Sequence, residues 1–196
     1  MKWYYMIIGE ENRVPRYFLA NDKDIFGRDR FAVCFGRGIN DWNSAARLNS
    51  TRPEYDGTPD DVLANALGWP VFSNRLRQTL RDAEVGVANI QYLPIRVIRS
   101  TGEEVPGFEV ANVVTRVAAL DRRRSRMLDE DEDETDPETG LPNVTAVGKA
   151  ALFNEKLVSH DVIRLVEYFP PVFVSQRFVD AFNTSKCTGA TFAPTL

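Results

Sequence analysis

Trp3 to Ile8, WYYMII, is an apolar run rich in aromatic and branched residues and closed by Gly9, which reads as an opening strand. Residues 10 to 60 keep no comparable period. Gly27, Gly36, Gly38, Pro53, Gly57 and Pro59 interrupt apolar islands at 16–20 and 31–35, a pattern that predicts short strands and long surface loops. Thr58 stands before Pro59, Asp60 and Asp61. A capping hydroxyl, a proline at the first helical position and two carboxylates at the positive end of the dipole predict a short helix ending near Leu67 and Gly68.

From Pro70 the pattern is more regular. PVF is a brief apolar run, Ser73 is a capping residue, and NRLRQTLRDA places Leu76, Leu80 and Ala83 on one helical face. Gly86 ends that helix. Val87 to Ile98 alternates as a strand that Pro94 interrupts or confines to an edge, and Phe108 to Leu120 reads as one long strand or a strand with a bulge. Asp161 to Phe169 alternates as a half-buried strand. The closing segment, PVFVSQRFVDAFNTSKCTGATFAP, repeats the earlier one: Phe72 aligns with Phe173, Ser73 with Ser175, Arg75 with Arg177, Leu76 with Phe178, Leu80 with Phe182 and Pro94 with Pro194. Each copy spells short strand, capping serine, helix, glycine-bearing turn and a strand ending at proline. In the second copy Val174 and Val179 are spaced to staple the cap. The fold class that follows is α+β, a mainly antiparallel sheet with short helices, arranged as two related strand–helix–strand halves sharing one core.

Composition narrows the class further. A chain of 196 residues that is 43% hydrophobic and 11% aromatic should hide roughly 70% of its unfolded surface. Disordered, collagen-like and disulfide-scaffold classes are excluded. The length fits one large domain or two small lobes, divided here into a loop-rich amino-terminal region, 1–68, packed on a core domain, 69–196. The net charge of −4 conceals a concentrated tract: Asp129, Glu130, Asp131, Glu132, Asp133, Glu134, Asp136 and Glu138 supply eight carboxylates, and without them the remainder would carry +4. Like charges in a block repel and resist packing, so 126–142 is expected to be an acidic loop and the least ordered segment. The six apolar residues Trp3–Ile8 are too short for a signal-peptide core, and no run approaches a membrane span, which points to the cytoplasm and to no membrane partner. Cys34 and Cys187 lack metal or redox spacing and are expected to be reduced and mostly buried.

Candidate chemistry is sparse. His160 is the sole histidine, so no multi-histidine metal site can form, and its neighbours Ser159 and Asp161 are adjacent in sequence rather than converging from separate elements. CFGRGIND holds Gly36 and Gly38 without the third glycine of a dinucleotide loop. The alternating Asp129, Asp131 and Asp133 resemble a calcium loop, but Glu134 and Gly140 occupy the places that need glycine and glutamate. Arg122, Arg123, Arg124 and Arg126 are followed at once by the carboxylates, which compete for them and weigh against nucleic acid as a partner. No catalytic, metal or cofactor residue is assigned. Surface complementarity leaves no short motif, which is compatible with a binding protein. A small hydrolase or transferase with a carboxylate-based site and a scaffold or adaptor module are the alternatives.

The ordered segments PVFSNRL with VANIQYLPI, FEVANVVTRVAALDRRRS, VIRLVEYFPPVFVSQRFVDAF and the closing TGATFAP resemble the Myxococcus-type immunity domain of bacterial polymorphic toxin systems, over about Gly68 to Pro194. The serine, helix, Thr-Gly and Phe-x-Pro ending is the most specific piece. The resemblance implies a non-enzymatic protein that binds and neutralises a cognate toxin encoded nearby, with no cofactor. It assigns structural roles, as caps, turns and strand-end hydrogen bonds, to Asn112, Asp121, Ser125, Ser175 and Gly189. The partner-binding residues expected from charge alone are the eight carboxylates of the acidic tract, facing a basic toxin site.

Overall fold

The computed structural model describes residues 1–9, 18–50, 53, 57–135 and 140–196. In chain order the strands and helices are β1 (Trp3–Ile8), β2 (Phe18–Leu19), β3 (Arg47–Ser50), β4 (Val71–Ser73), α1 (Asn74–Asp82), β5 (Ile90–Pro94), β6 (Arg96–Ile98), β7 (Glu104–Val105), β8 (Phe108–Val113), β9 (Arg116–Val117), β10 (Arg126–Thr135), β11 (Pro142–Lys149), β12 (Val162–Leu165), β13 (Val172–Ser175), α2 (Gln176–Thr184) and β14 (Ala190–Pro194). The class is α+β. A five-stranded sheet runs β14-β1-β13-β12-β9, a four-stranded sheet β2-β3-β6-β7, a three-stranded sheet β4-β8-β5, and β10 and β11 form a ribbon of their own. The first two sheets are mixed, because β9 lies parallel to β12 and β3 parallel to β6.

Both helices form for local reasons. Ser73 and Ser175 are their N-caps, each accepting a hydrogen bond from the backbone N–H three residues on, at Leu76 and Phe178. Leu76 and Leu80 of α1 and Phe178, Val179 and Phe182 of α2 turn inward. They meet Phe72, Val113, Val162 and Val174 in the first of three cores, where the Phe178 ring stands 6.4 Å from Phe72 and 6.0 Å from Phe192. Val174 and Val179 of the second cap both lie in this core. A second core gathers Leu48, Leu63, Trp69, Leu93 and Val110, and a third gathers Trp3, Leu120, Leu157, Ile163 and Phe173.

The two serine-capped units are completed in the same way by different strands. In the first, β8 lies between β4 and β5; in the second, β1 lies between β13 and β14. Pro94 is opposite Glu109 and Pro194 opposite Tyr4. The opening strand, which sequence order places in the amino-terminal region, is therefore interior to the five-stranded sheet.

Several local expectations yield to tertiary pairing. Residues 58–68 form no helix, because their backbone bonds elsewhere: Val62 donates to Thr188 O (2.9 Å), Leu63 to Val71 O (2.9 Å), and Ala64 O accepts from Phe18 (3.2 Å). The island at 31–35 makes turns rather than a strand. The 108–120 segment is split between sheets, β8 joining the three-stranded sheet and β9 the five-stranded one. Pro94 marks a similar change, since β5 and β6 belong to different sheets. β12 is buried on both faces instead of one. Its Arg164, which alternation would turn to solvent, is 0% exposed and donates through Nη1 to the carbonyls of Phe169 (2.9 Å) and Pro170 (2.6 Å). Burial pushes its pKa down to about 10, so it remains charged at neutral pH. The expected acidic loop is also corrected: 126–135 is a strand, paired with β11 from Arg126 opposite Lys149 to Thr135 opposite Pro142 through several bulges.

Candidate partner-binding surface

Two clusters of polar side chains share one geometry. Asp61 accepts from the Ser73 hydroxyl (2.6 Å), from Arg75 Nε (3.0 Å) and from the Thr188 backbone N–H (3.0 Å). Asp161 accepts from the Ser175 hydroxyl (2.7 Å) and from Arg177 Nη1 (3.0 Å). The arginines then cross between the units: Arg75 reaches the carbonyls of Ser185 and Lys186 after α2, and Arg177 those of Ala83 and Glu84 after α1. Each guanidinium thus meets carbonyls at the negative end of the other helix. Burial works to raise the Asp61 pKa, but its hydrogen bonds from Arg75, Ser73 and Thr188 hold it below the ordinary carboxylate range.

These arrangements hold the fold together and are not suited to catalysis. Ser175 is 0% exposed, and each cap hydroxyl donates to a carboxylate with no imidazole between them. His160 sits in the turn before β12 with its backbone N–H on Leu157 O (3.1 Å). Cys34 and Cys187 are free and buried, and burial pushes both thiols up, away from nucleophilic use. Among the described residues no group of three His, Cys, Asp or Glu side chains is placed to hold a metal ion.

Asn112, Asp121, Ser125, Ser175 and Gly189 have structural contacts. Asn112 donates to Arg37 O (2.8 Å). Asp121 accepts from the Arg123 and Arg124 N–H groups (both 3.2 Å), and the Ser125 hydroxyl accepts from Ala151 N–H (2.8 Å). Gly189 has φ +91°, and a Cβ there would stand 2.1 Å from Val62 O.

The acidic tract lies on the β10–β11 ribbon, which has a cleft beside its base. β10 carries Asp129, Glu130, Asp131, Glu132, Asp133 and Glu134 in succession; Asp136 and Glu138 lie outside the described residues. Asp129 accepts from the Thr145 hydroxyl across the ribbon (2.8 Å). The ribbon is rooted by Met127, Val144 and Val147 in the third core. Beside that root is a cavity of about 240 Å³, lined by Tyr5, Phe173 and Ala193 of the five-stranded sheet, by Val147 and Lys149 of β11 and by Tyr168. Tyr5 and Phe173 are a tilted ring pair 5.9 Å apart. Burial, and then the neighbouring Tyr168, push the Tyr5 phenol above its ordinary pKa.

Two features of this surface escaped the sequence. The aspartates ahead of the capping serines stand 100 residues apart and the serines 102, yet the local pattern places Asp61 at a helix start and Asp161 at the head of a strand beside His160. The cleft had a weaker signal, the apolar odd positions Trp3, Tyr5 and Ile7 of β1, which share one side of a strand.

An immunity protein family, Imm11, has a family model that matches residues 5–195 of the chain. No curated protein matches it.

Proposed function

The chain belongs to the Imm11 immunity protein family, and on that premise we propose that it binds a cognate bacterial toxin and blocks it without catalysing a reaction. The observation that carries this reading is the extent of the match, which takes in most of β1, both capped helices, the ribbon and β14. A binding protein of this kind works by presenting a complementary surface. The contact residues proposed are Asp129, Glu130, Asp131, Glu132, Asp133, Glu134, Asp136 and Glu138, meeting a basic site on the toxin. A run of carboxylates along one strand speeds encounter with such a site and disfavours acidic partners, nucleic acid included. Binding in the cytoplasm, where the toxin would act on its producer, completes the reading; among the described residues no helix is long and apolar enough to cross a membrane.

We also infer that the two capped units are copies of one mainly antiparallel plan, because the Asp, Ser and Arg contacts and the three-strand register recur in both.

Co-expression with the toxin encoded beside this chain's gene tests the function. Host survival that depends on this chain, with both proteins recovered in one complex, is expected. Death of the host despite soluble chain, or survival without a complex, would overturn it.

A further inference from the structure

Arg164 of β12 is fully buried, and its guanidinium is only partly satisfied. Nη1 donates to the carbonyls of Phe169 (2.9 Å), Pro170 (2.6 Å) and Pro171 (3.5 Å), between β12 and β13. Nε and Nη2 are buried as well and meet no acceptor of the protein. Buried donors are rarely left so, because an unmade hydrogen bond keeps the whole cost of desolvation.

The surroundings deepen the imbalance. Arg116 of β9 is the register partner of Arg164 across the parallel pair, so a second cation runs beside the first. The turn that carries Cys34, Phe35 and Gly36 closes over both stems. Gly36 has φ +65°, and a Cβ there would stand 2.7 Å from Arg116 Cγ and 3.4 Å from Arg164 Cδ. Phe35 rests on Phe169, with ring centroids 5.4 Å apart. Among the described residues no carboxylate accepts from Arg164. The ionisable group that acts on it is the Cys34 thiol, which burial pushes up and so keeps protonated at neutral pH. A buried cation without a counter-charge is among the costliest arrangements a fold can hold.

The free donors also define what would balance it. Nε–H and Nη2–H leave one edge of the guanidinium in parallel, a fork that two oxygens of a planar oxyanion, or one halide between them, accept together. Water would satisfy the hydrogen bonds but not the charge. Nothing of Arg164 reaches the surface, which excludes a partner's side chain. What enters is an ion small enough to pass when the Cys34–Gly36 turn opens locally.

We propose that the Nε–Nη2 edge of Arg164 holds one small monovalent anion, of the chloride, nitrate or formate class, under the Cys34–Gly36 turn. The inference goes beyond toxin binding and does not depend on it.

Two measurements on the full chain test it. In the first, thermal melts are run at constant ionic strength while sodium gluconate, whose anion is too large for an enclosed site, is replaced by sodium chloride, nitrate or formate. The melting temperature of the unaltered chain is expected to rise saturably with at least one small anion. That response should vanish in Arg164→Met, whatever the variant's own stability. An unchanged melting temperature, or a rise that Arg164→Met retains, overturns the proposal. In the second, the Arg164 Nε–H resonance of the isotope-labelled chain is followed by NMR through the same titrations. A saturable shift with the midpoint of the melts is expected. No shift with any of the three anions, or one that grows without saturating, means that the edge holds water only and overturns the proposal. The second measurement needs no variant, so it decides the matter even where Arg164→Met fails to fold. Neither involves the toxin, so failure here leaves the immunity reading intact, and failure of that reading leaves the anion site to these results.

Discussion

At the carboxylate of Asp61 three distant stretches meet: its own extended segment, the start of α1 through Ser73 and Arg75, and the turn after α2 through Thr188. Its pKa is held below the ordinary range, so its contribution to stability is present above the unfolded value, about 3.9, and is lost as pH falls through the lower folded value. Asp61→Asn should therefore cost about 1–3 kcal/mol at neutral pH. It should also flatten the fall in stability below about pH 4. Urea unfolding of both proteins between pH 2 and 7 measures this; a parallel offset at every pH would contradict it. Gly189 carries a different burden. Its φ of +91° and the 2.1 Å approach of a built Cβ to Val62 O leave no room for a side chain, so Gly189→Ala should lose at least about 2 kcal/mol. The same substitution at Gly140, also at positive φ but with nothing within 4 Å, should cost about 1 kcal/mol, the backbone effect alone. Thermal melts of the two variants make the comparison, and equal losses would refute the steric account.

Among the elements, those legible in the sequence were the ones whose causes are local. α1 and α2 declare themselves by a capping serine and an apolar face, and β1 by its composition. The segment at 58–68 had equally good local credentials for a helix, but its N–H and C=O groups are taken by Thr188, Val71 and Phe18. No pattern within those residues reveals such partners. The acidic segment failed in the opposite direction. Repulsion argued for a loop, yet the backbone pairing with β11, anchored by Met127 and Val147 at the root, holds it as a strand. Like charges in succession along one segment repel, and nothing of opposite charge faces Asp129, Glu130 or Asp131 across the ribbon, where Ala146, Val144 and Asn143 are their partners. Replacing Asp129, Glu130, Asp131, Glu132, Asp133 and Glu134 by their amides should accordingly leave the melting temperature unchanged or raised. The same variant should associate with a basic toxin about tenfold more slowly, with a flatter salt dependence. Stopped-flow rates across a salt series decide the matter, and an unaltered rate and slope would remove the ribbon from the interface. The cleft was illegible for another reason, since Tyr5, Val147, Tyr168 and Ala193 become neighbours only when the sheet and the ribbon assemble.

For the molecule as a whole, the crossed arginines couple the two capped units, each fixing the end of the other's helix. The first core takes side chains from both units, and the five-stranded sheet needs β1 from one end of the chain and β14 from the other. That construction ties both ends of the chain into one sheet, and a partner surface built on such interlocked elements loses little entropy on binding. A blocking protein and an enzyme that destroys a toxin differ in stoichiometry. The most direct test is a titration of purified toxin with purified chain, reading residual toxin activity against molar ratio and time. The account predicts a linear loss of activity that ends near one equivalent and does not change with incubation. Progressive inactivation by a small fraction of an equivalent, or full toxin activity at excess chain, would contradict it.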